Sequence, residues 1–252
     1  MCLCASASLN LPFVPLCLCP YEPEKSRIEK SATDMIITQQ KPFSEIQSIL
    51  QGKRKVFLIG CSLCATTCQS GGEEQVLEMK ERLIAEGKEV LGYAILEAVC
   101  NVLNSKKELR QKKAELAETE AILVMACGSG VQTISELQKL PVLAALDSLF
   151  LGNVKRFGQF EERCSLCGEC ILNKTGGICP VTTCSKGLLN GPCGGMSNGK
   201  CEMDPDKDCA WVKIYERLKE LGKIEAIEEI FAPRDYSKDA KPQGLVIKRF
   251  GT

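Results

Sequence analysis

The chain has 252 residues, 44% of them hydrophobic, and its 32 Lys and Arg residues balance its 32 Asp and Glu residues. A chain of this length and apolar content can form an α/β domain of ordinary size and a smaller second domain. Its sequence contains neither the basic stripe of a nucleic-acid-binding protein nor an apolar run of about 20 residues that could span a membrane. The chain has 17 cysteines and no histidine. Since free thiols persist in a reducing compartment, the cysteine content predicts a cytoplasmic protein. The charge and hydropathy patterns predict that neither nucleic acid nor a membrane is a partner.

Residues 1–34 are predicted to lie outside the folded protein, either as a disordered extension or because they precede the true start. They contain two Cys-Leu-Cys tripeptides and scattered prolines, but not the basic and apolar segments of a secretory signal. A sequence typical of a folded protein begins at Met35. We expect no metal binding from the four cysteines of the extension, which are Cys2, Cys4, Cys17 and Cys19.

A strand, a loop and a helix open the predicted α/β domain, residues 35–158. Residues 55–60 form a short apolar run typical of a buried parallel strand, and residues 73–86 have apolar side chains at helical spacing before a stop at Gly87. The loop between them has a Cys-x2-Cys-x3-Cys triplet. Open α/β sheets bind ligands at the carboxyl ends of their strands, and the following helix N-terminus favours an anion there. The triplet therefore predicts a cluster site held by Cys61, Cys64 and Cys68.

The strand and helix pattern then repeats. We predict strands at residues 90–96, at residues 121–126 and in PVLAALD, and helices at residues 106–118 and after the glycine turn of GSGVQTISEL. The fold class is α/β, a small parallel sheet of Rossmann or flavodoxin-like type. If all four strands are parallel, Cys100 and Cys127 reach the same sheet edge as the triplet, which gives five thiols for a four-ligand site.

Among these thiols, Cys127 is the preferred fourth ligand because Gly128 and Gly130 flank it at a strand end. Cys100 is the second choice, since a single cysteine is often a small buried apolar residue. A thioredoxin-type redox pair of Cys61 and Cys64 is the alternative to a cluster. Cysteine hydrolase chemistry is excluded, because it requires an imidazole and the chain has no histidine.

Residues 159–222 are predicted to form a loop-rich cysteine domain that binds metal. Its cysteines begin with Cys-x2-Cys-x2-Cys-x8-Cys-Pro, which matches the start of the bacterial ferredoxin pattern but has eight residues instead of three before Cys-Pro. We predict two or more [4Fe–4S] clusters in the chain, with four-cysteine zinc as the main competitor at one site and a disulfide framework as the least favoured reading. Spacing alone does not divide the candidate ligands between centres; they are Cys164, Cys167, Cys170, Cys179, Cys184, Cys193, Cys201 and Cys209.

An amphipathic helix follows the last of these cysteines. In AWVKIYERLKELGK, one face carries Trp211, Ile214, Leu218 and Leu221, and Gly222 provides a stop. We expect this helix to cover the metal domain. Residues 223–252, with two prolines and mixed charge, are predicted to be a partly extended tail that can contact a partner.

Several motifs of the chain resemble a known family. CSLCGEC, GGICPVTTCSKGLLNGPCGG, GKCE and CAWVKIYERLK closely resemble the cysteine-rich C-terminal domain of methylenetetrahydrofolate reductase. GCSLCATTCQSGGEE and ACGSGVQ resemble the companion subunit that carries this domain in acetogens and other anaerobes. The resemblance covers roughly residues 53–221.

The resemblance implies an iron–sulfur subunit, in some members zinc-containing, that accompanies a separate flavin-bearing barrel subunit. There the flavin reduces 5,10-methylenetetrahydrofolate to 5-methyltetrahydrofolate in the methyl branch of one-carbon metabolism. The chain would deliver electrons to that flavin, which is bound by the partner only, and would receive them from ferredoxin or a nicotinamide-oxidising module. The alternative is a zinc-stabilised scaffold of the same complex or of a corrinoid methyl-transfer complex.

Overall fold

The computed structural model describes residues 35–246, so the extension predicted at residues 1–34 lies outside the described residues. In chain order the strands are β1 (Met35–Gln40), β2 (Lys55–Cys61), β3 (Glu89–Leu96), β4 (Ala121–Met125), β5 (Val142–Ala144), β6 (Leu146–Arg156), β7 (Gln159–Cys164), β8 (Lys200–Cys201) and β9 (Asp204–Asp208). The helices are α1 (Phe43–Ile49), α2 (Cys64–Thr67), α3 (Glu73–Ala85), α4 (Val102–Gln111), α5 (Lys113–Ala117), α6 (Gly128–Leu137), α7 (Pro180–Thr183) and α8 (Ala210–Glu220).

A parallel sheet of four strands forms the centre of the fold, in the order β3-β2-β4-β5. This confirms the prediction of four parallel strands. The apolar runs of β2 and β4 are fully buried, as expected for strands covered on both faces. Strand β3 pairs with one side of β2, and the chain then crosses over so that β4 pairs with the other side of β2. Doubly wound folds bind their ligands at the carboxyl ends of the strands where the order reverses in this way.

The helices differ from prediction in their limits. The single helix expected at residues 106–118 is two helices, because the chain leaves helical geometry at Lys112 (φ −100°, ψ 15°) between α4 and α5. Helix α4 also begins earlier, where the Asn101 side chain accepts hydrogen bonds from the N–H groups of Leu103 and Asn104. None of the helices within residues 35–246 has both the length and the apolar character needed to cross a membrane.

A second, antiparallel sheet with the order β1-β6-β7 was not predicted. Its long central strand, LDSLFLGNVKR, lacks a regular alternation of apolar and polar residues, so the pattern that usually reveals a half-buried strand is missing. The β6–β7 hairpin crosses residue 158, where the predicted domain division lies. Hydrogen bonds of the hairpin therefore connect the two sides of that division.

Helix α8 has the predicted amphipathic character. Trp211, Ile214 and Leu218 are buried and form a small second core with Cys209, whereas Leu221 is 45% exposed. The indole N–H of Trp211 donates to the carbonyl of Leu188 at 2.9 Å, which ties the helix to the cysteine-rich loops. Because this core is small, the segment around it has little apolar burial to stabilise it.

Candidate metal centres

The loop that follows β2 is packed directly onto the end of β4. The Cys61 N–H donates to the carbonyl of Gly71 at 3.0 Å, and the Thr66 hydroxyl donates to the carbonyl of Cys61 at 2.8 Å. A Cβ on Gly71 would lie only 2.0 Å from the carbonyl oxygen of Met125. Glycine is therefore required for this close backbone approach.

Strand β1 supports the same loop from another side. The hydroxyls of Thr38 and Ser70 form a buried hydrogen bond of 2.7 Å, and the Gln40 amide donates to the carbonyl of Ser70 at 2.9 Å. Sequence reasoning missed this support, because a hydroxyl pair separated by 32 residues has no local signature. The loop with the cysteine triplet is thus anchored by both sheets.

Four of the cysteines at the carboxyl edge of the parallel sheet influence one another electrostatically, and we call them the edge cysteines: Cys61, Cys64, Cys100 and Cys127. Burial raises the pKa of the Cys64 thiol, a hydrogen bond with the Ile36 backbone lowers it, and negative charge on the other three edge cysteines raises it. The pKa of Cys100 is raised by burial and by the charges of Cys127 and Cys61. The four thiols therefore lie near enough to affect one another's ionisation, although no three of them are gathered closely enough to form a metal site in the described residues.

Cys68, the third member of the triplet, shares a contact with Cys64. It follows the short helix α2, and its thiol donates to the carbonyl of Ile36 in β1 at 4.0 Å, the same backbone group that lowers the pKa of Cys64. The charges that raise the pKa of Cys64 come from Cys61, Cys127 and Cys100. Which four of these five thiols would share a centre thus stays a prediction.

The edge cysteines differ in their access to solvent. Cys61 ends β2 and is 7% exposed, and Cys127 is the N-cap residue of α6 and is 8% exposed. At the start of α6, the Gly128 N–H donates to the hydroxyl of Ser148 in β6 at 2.9 Å. Cys100 is exposed, so this edge reaches the surface beside Cys100.

In the cysteine-rich segment, two turns present a backbone N–H to a sulfur two residues earlier. The Leu166 N–H donates to Cys164 Sγ at 3.3 Å in a turn where Leu166 has a φ of +57°. A hydrogen bond from the backbone of Met203 likewise lowers the pKa of Cys201, aided by the Ser185 hydroxyl. N–H groups directed at sulfur favour the thiolate, which is the form that binds metal.

The remaining cysteines of the segment are spread over loops and helix ends. Cys179 and Cys209 are the N-cap residues of α7 and α8, and the thiol of Cys193 donates to Glu202 at 3.3 Å. Within residues 35–246, no three Cys, Asp or Glu side chains are gathered into a group that could hold a metal ion. Thiolate donors fit both iron–sulfur and zinc centres chemically. The assignment of ligands to centres thus stays a prediction.

The tail beyond α8 folds back over the cysteine-rich segment. The side-chain amide of Asn190 pairs with the backbone of Phe231 in both directions, accepting from its N–H at 2.7 Å and donating to its carbonyl at 3.1 Å. Arg234 donates to the carbonyl of Cys167 at 3.4 Å, and the Asp235 N–H donates to Glu169 at 3.2 Å. The tail that was predicted to contact a partner thus contacts the loop of the first three cysteines.

Replacement of Asn190 by alanine is expected to release the tail locally. The variant loses both hydrogen bonds to Phe231, which on an exposed side chain contribute roughly 1 kcal/mol. Hydrogen exchange should show faster exchange of the Phe231 amide in Asn190→Ala than in Asn190→Asp, which keeps the acceptor. Equal protection of that amide in wild type and Asn190→Ala would contradict this role.

Comparison with known proteins finds a related family for part of the chain. Residues 143–237 match the family described as "Methylene-tetrahydrofolate reductase C terminal". The match includes β6, β7, all eight cysteines of the cysteine-rich segment and α8. No curated protein and no solved structure matches the chain. The matched segment is therefore related to methylenetetrahydrofolate reductase, as its motifs predicted, and the strands β2 to β4 lie outside the match.

Proposed function

We propose that this chain is the electron-transferring iron–sulfur subunit of a methylenetetrahydrofolate reductase complex. It passes electrons to the flavin of a partner subunit, which reduces 5,10-methylenetetrahydrofolate to 5-methyltetrahydrofolate. The observation that carries the proposal is the combination, in one chain, of four edge cysteines with a segment related to this reductase family. The relation to this family supports the reaction assigned to the complex, and the thiols support iron–sulfur chemistry in this chain.

Each part of the chain has a role in this proposal. The edge cysteines would hold one [4Fe–4S] cluster, and Cys164, Cys167 and Cys170 with a further cysteine of their segment would hold another. A bound cluster supplies one-electron chemistry, with a potential set by its charge, burial and N–H contacts to sulfur. The chain provides burial at Cys61 and Cys127, and it provides an N–H contact at Cys164.

Folate reduction itself is assigned to the partner. The chain has no histidine, and its described residues form a four-stranded parallel sheet and antiparallel sheets of three and two strands, not a flavin-binding barrel. A flavin stores two electrons, whereas clusters transfer them singly, so a flavin subunit beside this chain would collect two transfers before reduction. Ferredoxin or a nicotinamide-oxidising module would supply the electrons.

A zinc-stabilised scaffold is the second candidate, for the same complex or for a corrinoid methyl-transfer complex. It is favoured by the small core around Trp211, because a segment with so little apolar burial needs metal bonds to fold and zinc supplies them as well as iron does. Iron, zinc and sulfide analysis of anaerobically purified protein, with its visible spectrum, separates the two readings. Brown protein with iron and sulfide supports electron transfer, whereas colourless protein with stoichiometric zinc supports the scaffold.

The functional test is reconstitution with the flavoprotein subunit. The isolated chain should show no methylenetetrahydrofolate reduction with any donor, because the described residues form no flavin-binding barrel. In the complex, reduced ferredoxin or dithionite should reduce the partner's flavin at least about tenfold faster than without the chain. Chain stripped of metal by a chelator is the control and should give no acceleration. Folate reduction by the isolated chain, or equal flavin reduction without it, would contradict the proposal.

A further inference from the structure

Helix α4 presents a basic face to solvent. Leu103, Lys106, Lys107 and Arg110 occupy positions i, i+3, i+4 and i+7, so they share one side of the helix, and all four are exposed. The buried residues Ser105 and Leu109 lie on the other side. We call these four residues the α4 face.

The positive charge of the α4 face is not compensated by neighbouring acids. Lys106, Lys107 and Arg110 form no ion pair with any described residue, whereas Lys112, between α4 and α5, pairs with Glu115 at 3.2 Å. The acids nearest in sequence, Glu108 and Glu115, line a separate groove along β3. Three cations therefore project together toward solvent, which favours an acidic partner.

The α4 face begins where the edge cysteines reach the surface. Cys100 is exposed and precedes α4 by two residues, whereas Cys61 and Cys127 are buried. Two exposed apolar side chains, Val102 at 44% and Leu103 at 79%, stand between Cys100 and the cations. Apolar contact near a redox centre excludes water, and surrounding charges orient an arriving protein.

We propose that the α4 face docks a small acidic one-electron carrier, with its redox centre against Leu103 and Cys100 and its carboxylates against Lys106, Lys107 and Arg110. This inference rests on the proposed function and names the docking surface of its donor. Each docking event moves one electron, so the carrier is oxidised by one electron and the chain is reduced by one. Two events supply the electron pair for the partner's flavin, and no proton needs to cross this surface.

The experiment uses the full chain in complex with the flavoprotein, with a reduced bacterial ferredoxin of low isoelectric point as the probe. The test variants are Lys106→Glu/Lys107→Glu and Leu103→Asp. The matched control is Arg54→Glu/Lys139→Glu, two exposed cations at the opposite, amino edge of the parallel sheet. At low salt, the test double variant should weaken ferredoxin binding and slow flavin reduction by about tenfold or more, while the control stays within about twofold of wild type.

Dithionite separates docking from the proposed function itself. Since it is small and needs no docking surface, it should reduce the partner's flavin equally in wild type and in all variants. Ferredoxin rates of the α4 variants equal to those of the control would overturn the docking proposal and leave the proposed function standing. Failure of dithionite to reduce the flavin through wild-type chain would overturn both, whereas reduction by a nicotinamide-oxidising module with no measurable ferredoxin binding would overturn the docking proposal alone.

Discussion

Substitution of Cys164, Cys167 or Cys170 by serine is expected to remove a metal centre and unfold the cysteine-rich segment. Structural metal sites in small domains contribute on the order of 10 kcal/mol to folding, and a serine hydroxyl is a poor replacement for a thiolate. The core around Trp211 and Ile214 is too small to compensate for this loss. We therefore expect lower iron or zinc content and loss of the thermal transition of this segment in each variant.

The control for these variants is Ser165→Ala. Ser165 is exposed between the first two cysteines, so this substitution changes the same turn without changing a thiol. It should retain metal and melt like wild type. Elemental analysis and calorimetry provide the measurements, and the ligand assignment is wrong if all three serine variants keep both their metal and their melting behaviour.

Substitution of Cys100 by serine should abolish one paramagnetic signal of the reduced protein, while the same change at Cys68 should preserve it. The reason is that the proposed cluster is held by the edge cysteines, among which Cys100 is an electrostatic neighbour of Cys61, Cys64 and Cys127, and Cys68 is not one of the proposed ligands. Cys127→Ser should behave like Cys100→Ser. Signals from the cysteine-rich segment should remain in all three variants, which makes that segment an internal control.

Electron paramagnetic resonance after dithionite reduction, with iron counted per chain, distinguishes the possible ligand sets. Loss of the signal in Cys68→Ser and its retention in Cys100→Ser would restore the triplet of Cys61, Cys64 and Cys68 as the ligands. Retention in every variant would mean that the edge cysteines have a structural role.

The parallel sheet could be predicted because its information is local. Each of the runs at β2 and β4 is continuously apolar, and each is followed by a helix with a recognisable stop. Parallel strands joined by helices bring their carboxyl ends to one edge, so the approach of Cys100 and Cys127 to the loop after β2 followed from the order of elements alone. The helix break at Lys112 has no comparable signal, since no proline or glycine marks it.

The sequence by itself determined the α/β class, the sheet edge at which the upstream cysteines meet and the relation of residues 143–237 to methylenetetrahydrofolate reductase. Only the tertiary structure decided which of five upstream thiols are neighbours. Spacing in a loop limits how close two cysteines can be, but the direction of each side chain depends on contacts with distant segments. Here, strand β1 supports the loop and contacts the Cys68 thiol, and Gly71 packs against the carbonyl of Met125. Such contacts between residues far apart in the chain leave no periodic pattern in a single sequence, so they are seen only once the chain is folded.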